Sequence, residues 1–281
     1  MEVSRGDGSV IAVEVTGAQD GRPVLFCHGL ADSRLSAHLF APAALELGLR
    51  LVAPDRPGTG GTDPRRLRWL VDWVEDAALV LDAVGAGPVA LLGVSAGGPF
   101  AAACAARLPG RVRSLTLIAP LGTPRWSTGG MAPGQRLALQ AARQAPVSGG
   151  WFLGRLATLA RRSPRLFLGL AISELPGTDR HALEQASMRE AFLTGYTEAF
   201  RRGSRGVAQD LRVLTRPWGF ELGAINVPTW IHHGDADTTV PPQHARLLAE
   251  AIPGAQLQLH PGHGHFSILG IARQMLAALA A

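Results

Sequence analysis

The sequence contains no lysine, so all 27 of its basic residues are arginine. The formal net charge of +5 and the pI of about 10.7 therefore owe much to the high pKa of the guanidinium group. The arginines are dispersed, with neither an arginine-rich tail nor a nucleic-acid-reading motif. This pattern argues against nucleic acid as a partner and leaves a small molecule as the expected ligand.

Cysteine is nearly absent as well. Cys27 and Cys104 both lie in apolar runs, which favours two buried thiols over a disulfide. No run of about 18 uncharged apolar residues occurs, and the first residues are polar rather than apolar at signal length. The sequence therefore predicts no integral membrane segment and a cytoplasmic location.

The composition favours a folded domain. Of 281 residues, 47% are hydrophobic and 17% charged, enough apolar material for a sizeable core. Short apolar runs that read as strands alternate with helical patterns before residue 120 and again after residue 228. The predicted strands cover residues 10–15, 23–27, 50–53, 89–92, 112–118, 229–233 and 256–259, and the predicted helices cover 70–84, 96–108, 243–251 and a stretch from about 268.

This alternation predicts an α/β fold with a mostly parallel, doubly wound sheet. Residues 121–220 break the rhythm, because they read as short helices separated by Gly and Pro. We interpret them as a helical cap inserted into a core made of residues 1–120 and 221–281. The segment holds 14 arginines and six acids, a formal +8 against −3 for the remainder.

A glycine-rich motif lies where a predicted strand meets a helix. In Gly93-Val94-Ser95-Ala96-Gly97 the serine sits between small residues, as a nucleophile elbow requires. An ordinary glycine-rich turn with an incidental serine is the alternative. The strand-turn-helix context favours Ser95 as a nucleophile.

With this motif the chain resembles the α/β-hydrolase superfamily over nearly its whole length outside the cap. The resemblance implies an acid and then a histidine after the serine. The loop His232-His233-Gly234-Asp235-Ala236-Asp237 resembles the acid loop of that family, in which Gly precedes the acid by three positions. This points to Asp237, while Asp235 remains the alternative as a turn residue.

His260, His263 and His265 crowd the loop after the last predicted strand. The family places its histidine between Gly and Phe, which matches Gly264-His265-Phe266 and implies His265 as the base, with His263 as the alternative. A metal site is disfavoured, since neither cysteine nor carboxylate accompanies these histidines.

Two further loops resemble family features. His28-Gly29-Leu30 is similar to the turn that supplies half of an oxyanion hole, which implies the backbone N–H groups of Leu30 and Ala96 as donors. Residues 55–62 resemble a bracing loop rather than a phosphate cradle, so Asp55 and Arg56 are expected to be structural. Surface or packing roles are expected for Ser33, Arg34 and His38.

Together these residues predict a serine hydrolase that cleaves a carboxylic ester or lactone through an acyl-enzyme, without a cofactor. Carbon–carbon bond hydrolysis and haloperoxidation use the same triad and stay open. A non-catalytic, ligand-binding member of the fold is the alternative of another class. The natural substrate and the oligomeric state are not legible in the sequence.

Overall fold

A computed structural model of the chain describes residues 1–123, 129–131, 133, 136–137, 140 and 146–280. Eight strands form one sheet in the order β1-β2-β4-β3-β5-β6-β7-β8. Their bounds are β1 Glu2–Ser4, β2 Val10–Gly17, β3 Arg22–Cys27, β4 Leu49–Pro54, β5 Val89–Val94, β6 Val112–Ile118, β7 Thr229–Gly234 and β8 Gln256–His260.

The strands from β4 to β8 along the sheet are all parallel, and β1 and β2 add an antiparallel edge. The central strands β3, β5 and β6 are largely buried, because helices cover both of their faces. Parallel strands also end at a common edge, so the loops that follow β3, β5, β7 and β8 come together there.

Ten α-helices have both of their ends in the described residues. They are α1 Ala41–Glu46, α2 Trp73–Ala83, α3 Gly97–Arg107, α4 Pro146–Arg162, α5 Pro164–Ile172, α6 Gly177–Glu184, α7 Ala186–Ala199, α8 Arg205–Leu214, α9 Gln243–Ala251 and α10 Ala272–Ala280. Short 3₁₀ turns cover Arg34–Leu39, Leu70–Asp72, Leu222–Ala224 and Ser267–Ile271.

The core has two layers separated by the sheet. On one face, α2, α3 and α9 pack against strand residues such as Leu91 and Leu117. On the other face, α1 and α10 pack against strand residues whose side chains point to the opposite side of the sheet, such as Ala90 and Leu92 of β5. This alternation along β5 confirms the predicted doubly wound α/β sheet.

Helices α4 to α8 lie between β6 and β7 in the sequence, and no described residue of that stretch is in a strand. They have an apolar cluster of their own, built on Phe167, Tyr196 and Phe200. Leu30 and Ala31, from the loop after β3, pack against this cluster. The helical nature of the stretch agrees with the sequence pattern, while its division from the core as a separate cap stays a prediction.

Some elements differ from the sequence-based expectation. Strand β1 is three residues long, too short to carry a periodic signal. The predicted helix 70–84 begins with a 3₁₀ turn, and α-helical structure starts only at Trp73. Cys27 and Cys104 are buried free thiols, as predicted. Among the described helices, none is both long and apolar enough to cross a bilayer.

Candidate active site

Ser95 occupies a tight turn between β5 and α3. Its backbone is left-handed, with φ of +54°. The turn requires small neighbours, since a Cβ on Gly93 would lie 2.7 Å from the Gly98 Cα and one on Gly98 would lie 2.9 Å from the Pro120 Cβ. The Ser95 N–H donates to the Ile118 carbonyl at 2.9 Å, which anchors the turn to β6. The hydroxyl group is thus held clear of the sheet at the start of α3.

Asp237 lies in the loop after β7 and is 3% exposed. Its Oδ1 accepts the N–H groups of Thr239 and Val240, both at 2.8 Å. Burial alone would raise the pKa of this carboxyl, but the charge of His265 and hydrogen bonds from His233 and His265 outweigh it. The pKa of Asp237 therefore lies well below its usual range, and the group is a carboxylate.

His265 joins the acid to the serine. Its Nδ1 lies 2.7 Å from Asp237 Oδ2, and its Nε2 lies 3.0 Å from Ser95 Oγ. These contacts fit a neutral imidazole that donates from Nδ1 and accepts the serine proton at Nε2. Burial lowers the pKa of His265, but the negative charges of Asp237 and Asp179 reverse the direction, so its pKa is raised overall.

The alternative acid and base lie elsewhere. Asp235 is exposed, and its Oδ1 accepts the Gly262 N–H at 2.7 Å, so it ties two loops together. The rings of His263 and His260 pack edge to face, and the His263 carbonyl oxygen accepts the Ala236 N–H at 3.0 Å. The structure therefore brings Asp237 and His265, not Asp235 and His263, to Ser95.

The histidines near the strand ends form a separate contact. His260 Nε2 lies 3.2 Å from His232 Nδ1, and burial lowers the pKa of His232 to about 4. Within the described residues, no three His, Cys, Asp or Glu side chains are grouped as metal ligands would be.

The turn after β3 is held by Arg56. The guanidinium donates to the carbonyl oxygens of His28 at 2.7 Å and Gly29 at 2.8 Å. His28 is buried, and burial and Arg56 hold its pKa well below the usual value, so its ring is neutral. Among the described residues, the N–H groups of Leu30 and Ala96 have no protein acceptor. Both donors remain available to a ligand.

Asp55 forms hydrogen bonds that hold neighbouring loops together. It is fully buried, and its carboxylate accepts the Arg34 N–H at 2.7 Å and the Gly61 N–H at 2.9 Å. Arg34 reaches onward to Glu198 of α7 at 2.7 Å. Ser33 is fully buried, and His38 is exposed beside Glu14.

Two functional-looking residues escaped sequence analysis. Asp179 of α6 and Asp210 of α8 are both almost completely buried, although they belong to the arginine-rich stretch. Asp179 contacts the loop of His265, and Asp210 contacts Arg56. A signal existed for Asp210, because it shares the apolar face of α8 with Val207, Val213 and Leu214.

Comparison with known proteins gives a consistent picture. A family model of the alpha/beta hydrolase fold matches residues 22–270. An uncharacterized hydrolase of Bacillus subtilis is 28% identical over 96% of this chain and 93% of its own length. A 2-hydroxymuconate semialdehyde hydrolase of Pseudomonas putida is 30% identical over 78% of this chain and 71% of its own length.

Among solved structures, an alpha/beta hydrolase fold protein from Nakamurella multipartita superposes with a TM-score of 0.74. The match covers 100% of this chain and 98% of that chain at 24% identity, so it shows similarity of fold alone.

Proposed function

The chain belongs to the alpha/beta hydrolase fold family, and from that membership we propose that it is a serine hydrolase that cleaves a carboxylic ester or lactone. The observation that carries the proposal is the unbroken chain of two short contacts. Asp237 Oδ2 lies 2.7 Å from His265 Nδ1, and His265 Nε2 lies 3.0 Å from Ser95 Oγ. Nucleophile, base and orienting acid thus stand within hydrogen-bond reach of one another.

In the proposed reaction, His265 Nε2 takes the Ser95 hydroxyl proton as Oγ bonds to the substrate carbonyl carbon. The ionised Asp237 keeps Nδ1 protonated and stabilises the imidazolium that forms. The proton then passes from Nε2 to the leaving alkoxide as the carbon–oxygen bond breaks, which leaves an acyl group on Ser95. Water, deprotonated by His265, attacks that acyl group, the bond to Oγ breaks, and the proton returns to Ser95.

The N–H groups of Leu30 and Ala96 are the proposed oxyanion hole. Neither has a protein acceptor among the described residues, and the two flank Ser95 from different loops. Arg56 fixes the turn that carries Leu30 through two carbonyl oxygens. Donors held in place in this way stabilise the tetrahedral intermediate without having to reorganise.

We assign residues 121–220 as a cap that shapes the acyl-binding side of the site. The apolar cluster of Phe167, Tyr196 and Phe200 packs against Leu30 on the oxyanion turn. On the other side, Phe192 meets Phe266, the neighbour of the proposed base, edge to face at 5.5 Å. Apolar side chains from the cap helices therefore approach both active-site loops, which favours a medium-chain or aromatic acyl group.

The proposal is tested with a panel of p-nitrophenyl esters and lactones. We expect a burst of p-nitrophenol about equal to the enzyme concentration wherever deacylation is slow, and no burst from Ser95→Ala. Absence of both burst and turnover with every activated ester, together with binding of the same ligands, would indicate the non-catalytic alternative.

A second candidate is hydrolysis of a carbon–carbon bond. The relative named as a 2-hydroxymuconate semialdehyde hydrolase favours it, since a compound of that name contains no ester linkage for water to cleave. The discriminating measurement is a direct comparison of kcat/KM for this semialdehyde and for the best ester. A value higher by about two orders of magnitude for the semialdehyde would replace ester cleavage as the proposed activity.

A further inference from the structure

A buried carboxylate from the proposed cap lies under the backbone of the proposed base. Asp179, in the first turn of α6, is 0% exposed. Its Oδ2 accepts the His265 N–H at 2.8 Å, and its Oδ1 accepts the N–H groups of Phe266 at 2.9 Å and Ser267 at 2.8 Å. Three consecutive peptide groups are therefore bound by one side chain that is 86 to 88 residues away in the sequence.

The fit between this acid and the loop is close. A Cβ on Gly264 would overlap the Asp179 carboxylate, so the residue before His265 has no room for a side chain. The other side of the loop is equally tight, because a Cβ on Gly234 would overlap the His263 carbonyl oxygen. The Gly264 N–H also donates to Ser267 Oγ at 2.7 Å. The loop is thus held between the end of β7 and α6.

The hydrogen-bond partners of the Asp179 carboxylate are peptide groups. Within the described residues, no Arg or His side chain is paired with it, so backbone N–H groups are its hydrogen-bond partners. The charged and titratable groups around the His265 imidazole are Asp237 at Nδ1, His233 against Asp237 and Asp179 beneath the backbone. The Phe266 ring lies edge-on to the imidazole.

We propose that Asp179 is a positioning residue for the proposed base: it fixes the backbone of His265 and supplies a second negative charge that stabilises the imidazolium of the transition state. The proposal rests on the proposed function, since it needs His265 to act as a base. If the proposal holds, Asp179 of the proposed cap is needed for the reaction at Ser95 and His265. A buried negative charge with a fixed geometry favours the protonated form of a neighbouring imidazole.

Two effects follow. Loss of the charge should lower the pKa of His265, because Asp179 is one of the groups that raise it. Loss of the hydrogen bonds should let the loop move and displace Nε2 from Ser95 Oγ. Displacement of a reacting group by about 1 Å costs up to about 100-fold in rate.

The experiment compares Asp179→Asn, Asp179→Ser and the control Glu184→Gln in the full chain. Glu184 is on the same helix, but its side chain is 66% exposed and pairs with His181 at the surface. The readouts are kcat and KM for an activated ester between about pH 5 and 9, the rate of fluorophosphonate labelling over the same range, and circular dichroism to establish folding.

For Asp179→Asn we expect kcat to fall by about 10- to 100-fold with KM nearly unchanged. The low-pH limb of kcat/KM should move to lower pH by about 0.5 unit, and labelling should shift in parallel. Glu184→Gln should change neither quantity. Asp179→Ser, which is uncharged but keeps one acceptor, should show the same shift of the low-pH limb.

A folded Asp179→Asn with the parental kcat and pH profile would overturn the inference. Failure of both variants to fold would also overturn it, because Asp179 would then be a group required only for the structure. The proposed function is checked separately by Ser95→Ala and His265→Ala. If those two variants kept full activity, the proposed function would fail whatever Asp179 does.

Discussion

Arg56 and Asp210 form an ion pair at 2.8 Å in which both side chains are 1% exposed. The same guanidinium donates to the carbonyl oxygens of His28 and Gly29 and lies 4.5 Å above the Phe100 ring centre. An acid on α8 therefore sets the orientation of an arginine that holds the turn of Leu30. A buried charge that loses its ion-pair partner is strongly unfavourable, since no water replaces the lost contact.

We predict that Asp210→Ala lowers the free energy of unfolding by about 3 to 5 kcal/mol, because it removes the ion-pair partner of the buried Arg56 guanidinium. Urea denaturation followed by circular dichroism measures this difference. The control is Asp82→Ala, which breaks the exposed pair with Arg111 at 2.7 Å and should cost less than about 1 kcal/mol. Equal losses for the two variants would mean that the buried pair does not support the fold as described.

We predict that a fluorophosphonate labels Ser95 alone, because the contact with His265 Nε2 makes its oxygen nucleophilic. Mass spectrometry of digested protein locates the adduct. Ser95→Ala should abolish labelling, and Ser267→Ala, a change of another serine in the loop of the base, should leave the adduct on Ser95. An adduct on Ser267, or on Ser127 outside the described residues, would contradict the assignment.

We predict that His265→Ala and Asp237→Ala each lower turnover by about three orders of magnitude or more. His263→Ala and Asp235→Ala should cost far less, because Asp235 binds the Gly262 N–H and His263 packs against the His260 ring, whereas His265 is the residue that joins Asp237 to Ser95. The measurement is kcat for an activated ester with all four variants. If His263→Ala were inactive and His265→Ala active, the base would have to be reassigned from His265 to His263.

We predict that salt slows the reaction of an anionic ester. Arg155, Arg162 and Arg165 are exposed on α4 and α5, while two of the acids of the proposed cap are buried and add little to its surface charge. Between about 0.02 and 0.5 M salt, kcat/KM for a carboxylate-bearing ester should fall by about threefold or more, since charges beyond about 8 Å are screened at physiological strength.

A neutral ester of equal size is the substrate control and should barely respond to salt. Replacing Arg155, Arg162 and Arg165 together by Gln should flatten the response of the anionic ester. If both esters respond equally in the parental protein, these arginines are solvated surface residues without a role in steering.

The sheet and the loop positions were predictable because they rest on local patterns. A continuous apolar run marked β5, and the glycines around Ser95 marked a turn in which the neighbouring positions have no room for a side chain. The preference for Asp237 over Asp235 came from the spacing after Gly234. The structure supplies a physical reason for that glycine, since a Cβ at position 234 would overlap the His263 carbonyl oxygen.

The roles of Asp179 and Asp210 could not be predicted in the same way. Each binds groups that are more than 80 residues away in the chain, and a single sequence carries no record of such contacts. The count of charges in residues 121–220 gives no position for either acid. Their burial depends on three peptide N–H groups in one case and one arginine in the other, which only the assembled fold brings within reach.

The left-handed backbone of Ser95 has a consequence for the evolution of this chain. In the described residues, three residues other than glycine have positive φ, and Ala31, Ser95 and Ala119 all adjoin the proposed site. A side chain in this conformation costs about 1 kcal/mol, so glycine at position 95 would raise the melting temperature, while alanine would not. A lineage released from selection for hydrolysis could therefore drift to glycine at no cost to folding. The geometry of the turn alone therefore gives no reason for a serine at this position, and a role for its hydroxyl group does.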